Sequence, residues 1–441
     1  MSHKTTRRTF LGTAATTLAW AGAHPYAAGA KADESPNDTI NIGVVGCGAR
    51  TRQVLNGFKT LPKNRVVAVC DVNWKHANHV KDHYGGGKVP MVGDFRKLLE
   101  QKDVDVILCG TQAHWHVLIT IAACQAGQDI YVEKPLSNFI GEGKYAVEAA
   151  KKYDRIATIG TQQRSWEQYK KAVEIVQSGE LGVISEVKAW DYSNWCPGKG
   201  SPADCDPPAE LDWDFYVGPS PYRNYNPNIY YGYGYDWFKL SGAGHQVAWG
   251  VHHFDIVNWA MGVTDPVSAV GMGGKFAMPE DNREWPDTLD GIVEYGPGPV
   301  AKDGFVMQYT MRIGARREFR AHGKCFIGSK GSLLLDRAGY TITSEEKEID
   351  GKREKIIEER EFRSAEDNHQ EVFLACVRDR KQPPAGLTEG YYSVLPGHLM
   401  NVSYLTGRKI IWDAQKQEAK GDDAANALVN QEYRKPWKLE A

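Results

Sequence analysis

The sequence predicts an α/β chain with a doubly wound parallel sheet first and a second, α+β domain carrying its own sheet. Three observations predict it. From Ile40 onward, short Val/Ile-rich runs alternate with helical patterns. The first run ends in a glycine turn that opens a helix. At 441 residues, with 42% hydrophobic and 24% charged side chains, the chain has room for two full cores and is too apolar for wholesale disorder.

In chain order, the opening MSHKTTRRTFLGTAATTLAWAGAHPYAAGA sets Arg7-Arg8 before Phe10-Leu11, an Ala/Thr-rich stretch and Ala28-Gly29-Ala30. A charged segment, an apolar segment and a small-residue cleavage site in that order match a twin-arginine export signal over residues 1–30. The apolar part is too short to span a bilayer, so the mature protein is expected in the periplasm or secreted, with no membrane span. Residues 31–38 read as a linker.

Residues 39–161 form the first domain. INIGVVG, RVVAVCD, VDVILCG, DIYVE and IATIG read as strands, with helices between them. Strands this uniformly apolar belong in a parallel sheet covered on both faces. Gly46-Cys47-Gly48-Ala49-Arg50-Thr51 lies where the first strand meets the first helix. There Gly46 permits a tight turn, Gly48 lets a pyrophosphate approach the backbone, and the helix start at Ala49 offers free N–H groups. Arg50 adds a phosphate contact. This is the dinucleotide-binding turn of a Rossmann domain, except that Thr51 stands where Gly or Ala gives close helix–strand packing. Asp71 ends the second strand, where a carboxylate accepts from ribose hydroxyls and repels a 2′-phosphate, which selects NAD as cofactor. Two segments fall at later strand ends on the ligand-binding edge. One carries Thr111, His114 and His116, and the other carries Glu133, Lys134 and Pro135.

Residues 162–413 form the second domain, with strands over Val183–Tyr192, Val267–Phe276, Asp290–Tyr295 and Phe305–Arg312. SEEKEIDGKREKIIEERE reads as a solvated hairpin or edge, the stretch from Asp367 as a helix packing on the body, and 414–441 as a tail on the same body. Aromatics crowd between Trp190 and Phe238 among Gly and Pro. Flat rings edged with donors suit sugar rings, and Trp195 is the candidate, although such rings also plug loops or form interfaces. A helix from about Val247 would place His245, Trp249, His252 and Asp255 along one face, with His252 able to exchange a proton and Asp255 able to support it. His253 points elsewhere and reads as structural. A metal held by His245, His252 and Asp255 lacks a convergent third ligand, so no metal is expected.

Lys plus Arg is 53 against 55 Asp plus Glu, a net charge of -2, so there is no basic field to hold nucleic acid. The eight cysteines contain no C-x-x-C. Cys47, Cys70, Cys109 and Cys124 sit in apolar runs, whereas Cys196 and Cys205 share a loop and could pair after export.

IGVVGCGAR, VAVCD, GTQAHWH, AGQDIYVEKPLS, GTQQRS and WGVHHFDIVNWAMG together resemble the glucose–fructose oxidoreductase / inositol dehydrogenase (Gfo/Idh/MocA) family. LDWDFYVGPSPYR, KGSLLLD and GRKIIWD resemble its exported, sugar-associated bacterial branch. The resemblance implies an open, mostly antiparallel second sheet, homo-oligomers joined through that sheet, and substrate between the domains. It implies that Lys134 and His252 act on a substrate hydroxyl. Gln162 of GTQQRS is assigned to the cofactor, and Arg164, His245, Asp255 and Trp195 to the substrate. The resemblance also implies an Asp four residues before His252, where this chain has Ala248. The expected activity is NAD-dependent oxidation of a sugar, glycoside or polyol hydroxyl with a tightly held cofactor. The alternatives are an NAD-dependent glycoside hydrolase with no net redox change and a sugar-binding protein without catalysis.

Overall fold

The computed structural model describes residues 39–231, 234–317, 320–364 and 367–440. The export signal and linker assigned to 1–38 lie outside them. The apolar runs of the first domain become six parallel strands: β1 (Ile40–Val45), β2 (Asn64–Cys70), β3 (Met91–Val92), β4 (Val106–Cys109), β5 (Asp129–Val132) and β6 (Ala157–Ile159). Their order is β3-β2-β1-β4-β5-β6. β4 and β5 are buried at every position, as a sheet with helices on both faces requires. The strand order reverses between β1 and β4, and the carboxyl ends there bound the crevice where such sheets take ligands. β3, only two residues long, left no periodicity to read.

The second sheet has ten strands: β7 (Ile184–Tyr192), β8 (Ser268–Gly274), β9 (Thr288–Tyr295), β10 (Phe305–Arg312), β11 (His322–Gly328), β12 (Gly331–Asp336) and β13 (Gly339–Ser344) in chain order, joined later by β16, β17 and β18. Between them, β14 (Glu346–Ile349) and β15 (Lys352–Lys355) pair as a separate exposed hairpin within the charged stretch. The edges are β16 (Arg360–Arg363) on one side and β17 (Ile410–Asp413) with β18 (Glu418–Ala419) on the other. The order is β16-β13-β12-β11-β7-β10-β9-β8-β17-β18, and only β7 and β10 run parallel. The inner face packs under helices Glu167–Ser178, Gly250–Met261 and Leu387–Thr406. The outer face stays open, with Met272, Ile292 and Val306 exposed on neighbouring strands.

Leu387–Thr406 was invisible to helical periodicity because it is apolar nearly all round. Pro396 interrupts it, at a cost of about 3 kcal/mol in an isolated helix. Burying Leu395, Leu399 and Met400 contributes about 2 kcal/mol each and outweighs that loss.

The chain also crosses between the domains more than the 162–413 assignment allows. Helix His369–Asp379 joins the first domain, where Phe373 meets Phe58 and Tyr131 in one core and Asn368 Nδ2 donates to Gly57 O at 3.3 Å. In the tail, Trp437 packs edge-on to Trp115 at 4.7 Å. The aromatic loop from Trp195 to Leu240 builds a small core of its own. It is sewn to the first domain by Asp212 N to Val72 O at 2.9 Å and Trp74 N to Glu210 O at 3.1 Å. Cys196 and Cys205 are exposed free thiols, so the pairing expected of them is absent. No helix among the described residues is long and apolar enough to cross a membrane.

Candidate active site

A cavity of about 790 Å³ runs from the β1–β4 crevice to the helix Gly250–Met261, with walls from both domains. At the crevice end Gly46 adopts φ +81°, and a Cβ there would stand 2.7 Å from Thr111 N. A Cβ at Gly48 would project into open space, which leaves the backbone bare toward the cavity. Helix Ala49–Lys59 begins here with no side-chain cap and no acidic residue in its first turn, so its leading N–H groups face the cavity wall. Thr51 solves the packing problem its size poses. Its Oγ1 donates to Gly46 O at 2.6 Å, and the neighbouring strand offers Gly110, where any Cβ would collide with that hydroxyl.

Asp71 is fixed by two backbone donors, Cys47 N at 2.6 Å and Asn73 N at 2.7 Å, and lines the cavity. Burial raises its pKa and those two N–H groups oppose the rise. Arg50 lines the cavity but pairs with buried Glu133, Nε to Oε1 at 2.9 Å, so its charge is already shared. Ala49, Thr111, His116 and Gln162 also line the wall. His116 is a brace: Nδ1 lies 2.6 Å from Pro135 O and Nε2 3.2 Å from Thr111 O, tying together the two strand-end loops. The bare glycine backbone, the uncapped helix start and the held carboxylate fit a dinucleotide in its chemistry.

His114 is not on the wall. Its Nε2 meets Tyr216 O at 2.8 Å and anchors the aromatic loop from behind. The loop's own rings reach the cavity near Asp71 rather than at a sugar subsite. Tyr216, Tyr230 and Tyr231 line it, and Asn73 Nδ2 donates to Tyr230 Oη at 2.7 Å. The loop therefore covers the Asp71 end.

At the other end Lys134, Trp249, His252, Gln162 and Arg337 face the same space. Lys134 Nζ donates to Ala248 O at 2.7 Å. Lys134 Nζ lies 5.9 Å from the Trp249 ring and the His252 ring 5.7 Å from it, so the lysine and the imidazole flank one indole. His252 is 3% exposed, and its Nδ1 has no partner. Burial first, then the Lys134 and Arg337 charges, hold its pKa well below the usual histidine value. It is a neutral imidazole at pH 7, able to take a proton.

The expected single helix breaks at Trp249 into His245–Ala248 and Gly250–Met261. Gly250 sits hard against the Phe254 ring, where a Cβ would stand 2.6 Å away. The break turns His245 off the His252 face, and His245 Nε2 lies 3.0 Å from Asp191 Oδ2 behind the wall. Trp195 packs edge-on to His245 at 5.1 Å, also off the cavity. Arg164 and Asp255 hold each other, Nε to Oδ1 at 2.8 Å, and Ser393 Oγ donates to the same Oδ1 at 2.9 Å. These four expected substrate residues form the support layer under the site. His245 and Asp255 are thereby paired with Asp191 and Arg164. His253 is buried among Lys324, His322 and Arg337, consistent with its structural reading. Arg337, in the β12–β13 turn, was missed because a turn arginine carries no periodicity or motif.

Buried histidines make stability fall in acid. Burial pushes His114 and His398 down to about 4. Unfolded histidines protonate near 6.5, so between about 6.5 and 4 the unfolded state binds more protons. Their contribution is complete above that window and is lost as pH falls through it, by roughly 2 kcal/mol each at pH 5. Melting temperature is expected to drop steadily from pH 7 to pH 5, and a flat profile would contradict these burials.

A parallel-sheet nucleotide crevice with a lysine at its own strand end, facing an imidazole and an indole from the second domain, defines a two-domain, dinucleotide-dependent oxidoreductase architecture. Comparison with known proteins names it. A model described as the oxidoreductase family NAD-binding Rossmann fold (Gfo/Idh/MocA) matches residues 40–161, and one for the family's C-terminal alpha/beta domain matches 346–439. The chain belongs to the Gfo/Idh/MocA oxidoreductase family, and its first domain is that family's NAD-binding domain. Inositol 2-dehydrogenase of Salmonella paratyphi B is 30% identical over 149 residues, 33% of this chain and 43% of that protein. The chain thus matches under half the length of this relative. The WlbA dehydrogenase of Bordetella pertussis, solved with NADH and UDP-GlcNAcA, shares the fold with TM-score 0.63 at 16% identity, over 85% of this chain and 99% of that one. Aldose-aldose oxidoreductase of Caulobacter crescentus does so with TM-score 0.61, also at 16% identity and the same coverage.

Proposed function

We propose that the protein is an NAD-dependent oxidoreductase acting on a hydroxyl of a sugar, glycoside or polyol. The observation that carries this reading is the shared cavity: Lys134 and His252 face one end of a space whose other end is the Gly46–Gly48 cradle and Asp71. NAD bound there supplies the hydride acceptor. Neutral His252 takes the hydroxyl proton as the carbon loses hydride, and the Lys134 ammonium stabilises the oxygen as its charge develops. The product is the carbonyl compound. Related inositol 2-dehydrogenases and an aldose-aldose oxidoreductase of the same fold make a polyhydroxylated substrate the natural choice.

The cofactor is tightly held in this reading, because the aromatic loop covers the Asp71 end. Export in folded form through the Arg7-Arg8 signal fits a protein loaded with NAD beforehand. Association of copies through the open sheet face fits the exposure of Met272, Ile292 and Val306. The covered cofactor end also favours a second reading, in which hydride is removed and returned around the cleavage of a glycoside. One screen separates the two. Purified protein with NAD is offered glycosides, sugars and polyols, and products are weighed by mass spectrometry. Loss of two hydrogens marks the oxidoreductase, and bond cleavage without redox change marks the hydrolase. Absence of both across the panel, with NAD bound, would leave a binding protein and overturn the proposal.

A further inference from the structure

We infer that Arg337 makes this site selective for a sugar bearing an anionic group, a carboxylate or a phosphate ester. The inference deepens the reading above and rests on its placement of substrate beside Lys134 and His252.

Arg337 lies in the tight turn between β12 and β13 and reaches the cavity wall beside His252. Aromatic rings hold it: the guanidinium carbon is 5.0 Å from the Trp249 ring and 5.8 Å from the Trp166 ring. Stacking fixes a guanidinium plane and leaves its N–H edge to donate. That edge is unsatisfied at Nε, which is buried without a hydrogen-bond partner. The adjacent carboxylate, Asp336, is taken by Arg320 at 2.6 Å.

The carboxylates that act on the neighbouring Lys324, namely Asp336, Asp255 and Asp191, are each held by a partner: Arg320, Arg164 and His245. The acidic residues lining the cavity are Asp71 and Glu133. Asp71 is at the far end, and Glu133 is held by Arg50. Ala248, whose carbonyl accepts from Lys134, brings no carboxylate to this end. Arg337 also faces His252, His253, His322 and Lys324, and its charge depresses the proton affinity of all four. Burial and this crowding push Lys324 down to about 7. A half-buried guanidinium whose Nε has no hydrogen-bond partner, beside other cationic groups, is complementary to an oxyanion, and its fork donates to carboxylate or phosphate oxygens in pairs. A neutral sugar would leave that edge desolvated and unpaired, which is how such a site rejects it.

The test uses the full chain carrying NAD. Binding is measured by titration calorimetry and turnover by initial rates, on matched sets: glucose, glucuronate and glucose 6-phosphate, with the galactose and mannose counterparts. In at least one set, an anionic member is expected to bind and react on the order of 100-fold better than its neutral partner. Uronate or phosphate preference identifies which oxyanion is used. Arg337→Met is expected to bring that ratio to about one, and Arg337→Lys, which keeps the charge without the fork, to restore part of it. NAD binding and melting temperature check that both variants are folded. Equal or better binding of every neutral sugar, failure of all members to bind, or a ratio unmoved in Arg337→Met overturns the inference. Anion binding without hydride transfer would instead overturn the oxidoreductase reading and leave this inference standing.

Discussion

Replacing Lys134 with Met is expected to lower kcat/KM on the order of 1,000-fold, the scale of losing a positioned cation that stabilises developing charge. Lys134 reaches the cavity from the end of β5, and its Nζ donates to Ala248 O at 2.7 Å. Removing that bond costs stability only about 1 kcal/mol. Chemistry and folding therefore separate cleanly. Steady-state rates should collapse while the denaturation midpoint barely moves. Near-normal turnover in folded Lys134→Met would remove the lysine from the reaction.

Asp255→Ala is expected to act the other way, destabilising the protein by about 3–5 kcal/mol. Asp255 is 1% exposed and Arg164 nearly as buried. Without its carboxylate the Arg164 guanidinium is stranded over the Trp259 ring, with Pro384 O as its remaining acceptor. Breaking a buried pair costs more than replacing it whole, so Asp255→Leu with Arg164→Met should recover most of the loss. Urea unfolding measures both. A loss below about 1 kcal/mol in Asp255→Ala would return Asp255 to the substrate list.

These two residues show what the sequence could and could not disclose. The cofactor crevice was legible because its signals are local. Gly46, Gly48, Ala49 and Asp71 act through a turn, a helix start and a strand end within about thirty residues, and the strands on either side are apolar throughout. Lys134 and His252 could be matched one by one to family motifs. Arg164, Asp255 and His245 were misplaced because a polar residue on a helix face reads identically whether it meets substrate or a buried partner. The break at Trp249 between His245–Ala248 and Gly250–Met261 decided the matter, and spacing cannot foretell it. Thr51 looked like a defect until Gly110, 59 residues later, supplied the missing space. A few rings of the aromatic loop were expected to meet sugar and the rest to plug the loop, and its hydrogen bonds to residues 72–74 carry it to the Asp71 end. Arg337 and the helix Leu387–Thr406 left no pattern. One is a single turn residue, and the other is apolar nearly all round.

The account stands on one physical claim: NAD in the crevice lies within hydride reach of a substrate carbon held between Lys134 and His252. Isotope transfer tests it most directly. Protein carrying NAD is incubated with uronates and aldoses deuterated at each ring carbon in turn, and the nicotinamide is then analysed by mass spectrometry and NMR. Deuterium at the nicotinamide C4 from one substrate position, absent with Lys134→Met, is the predicted result. Transfer from no position in any sugar, with NAD demonstrably bound, would contradict the claim.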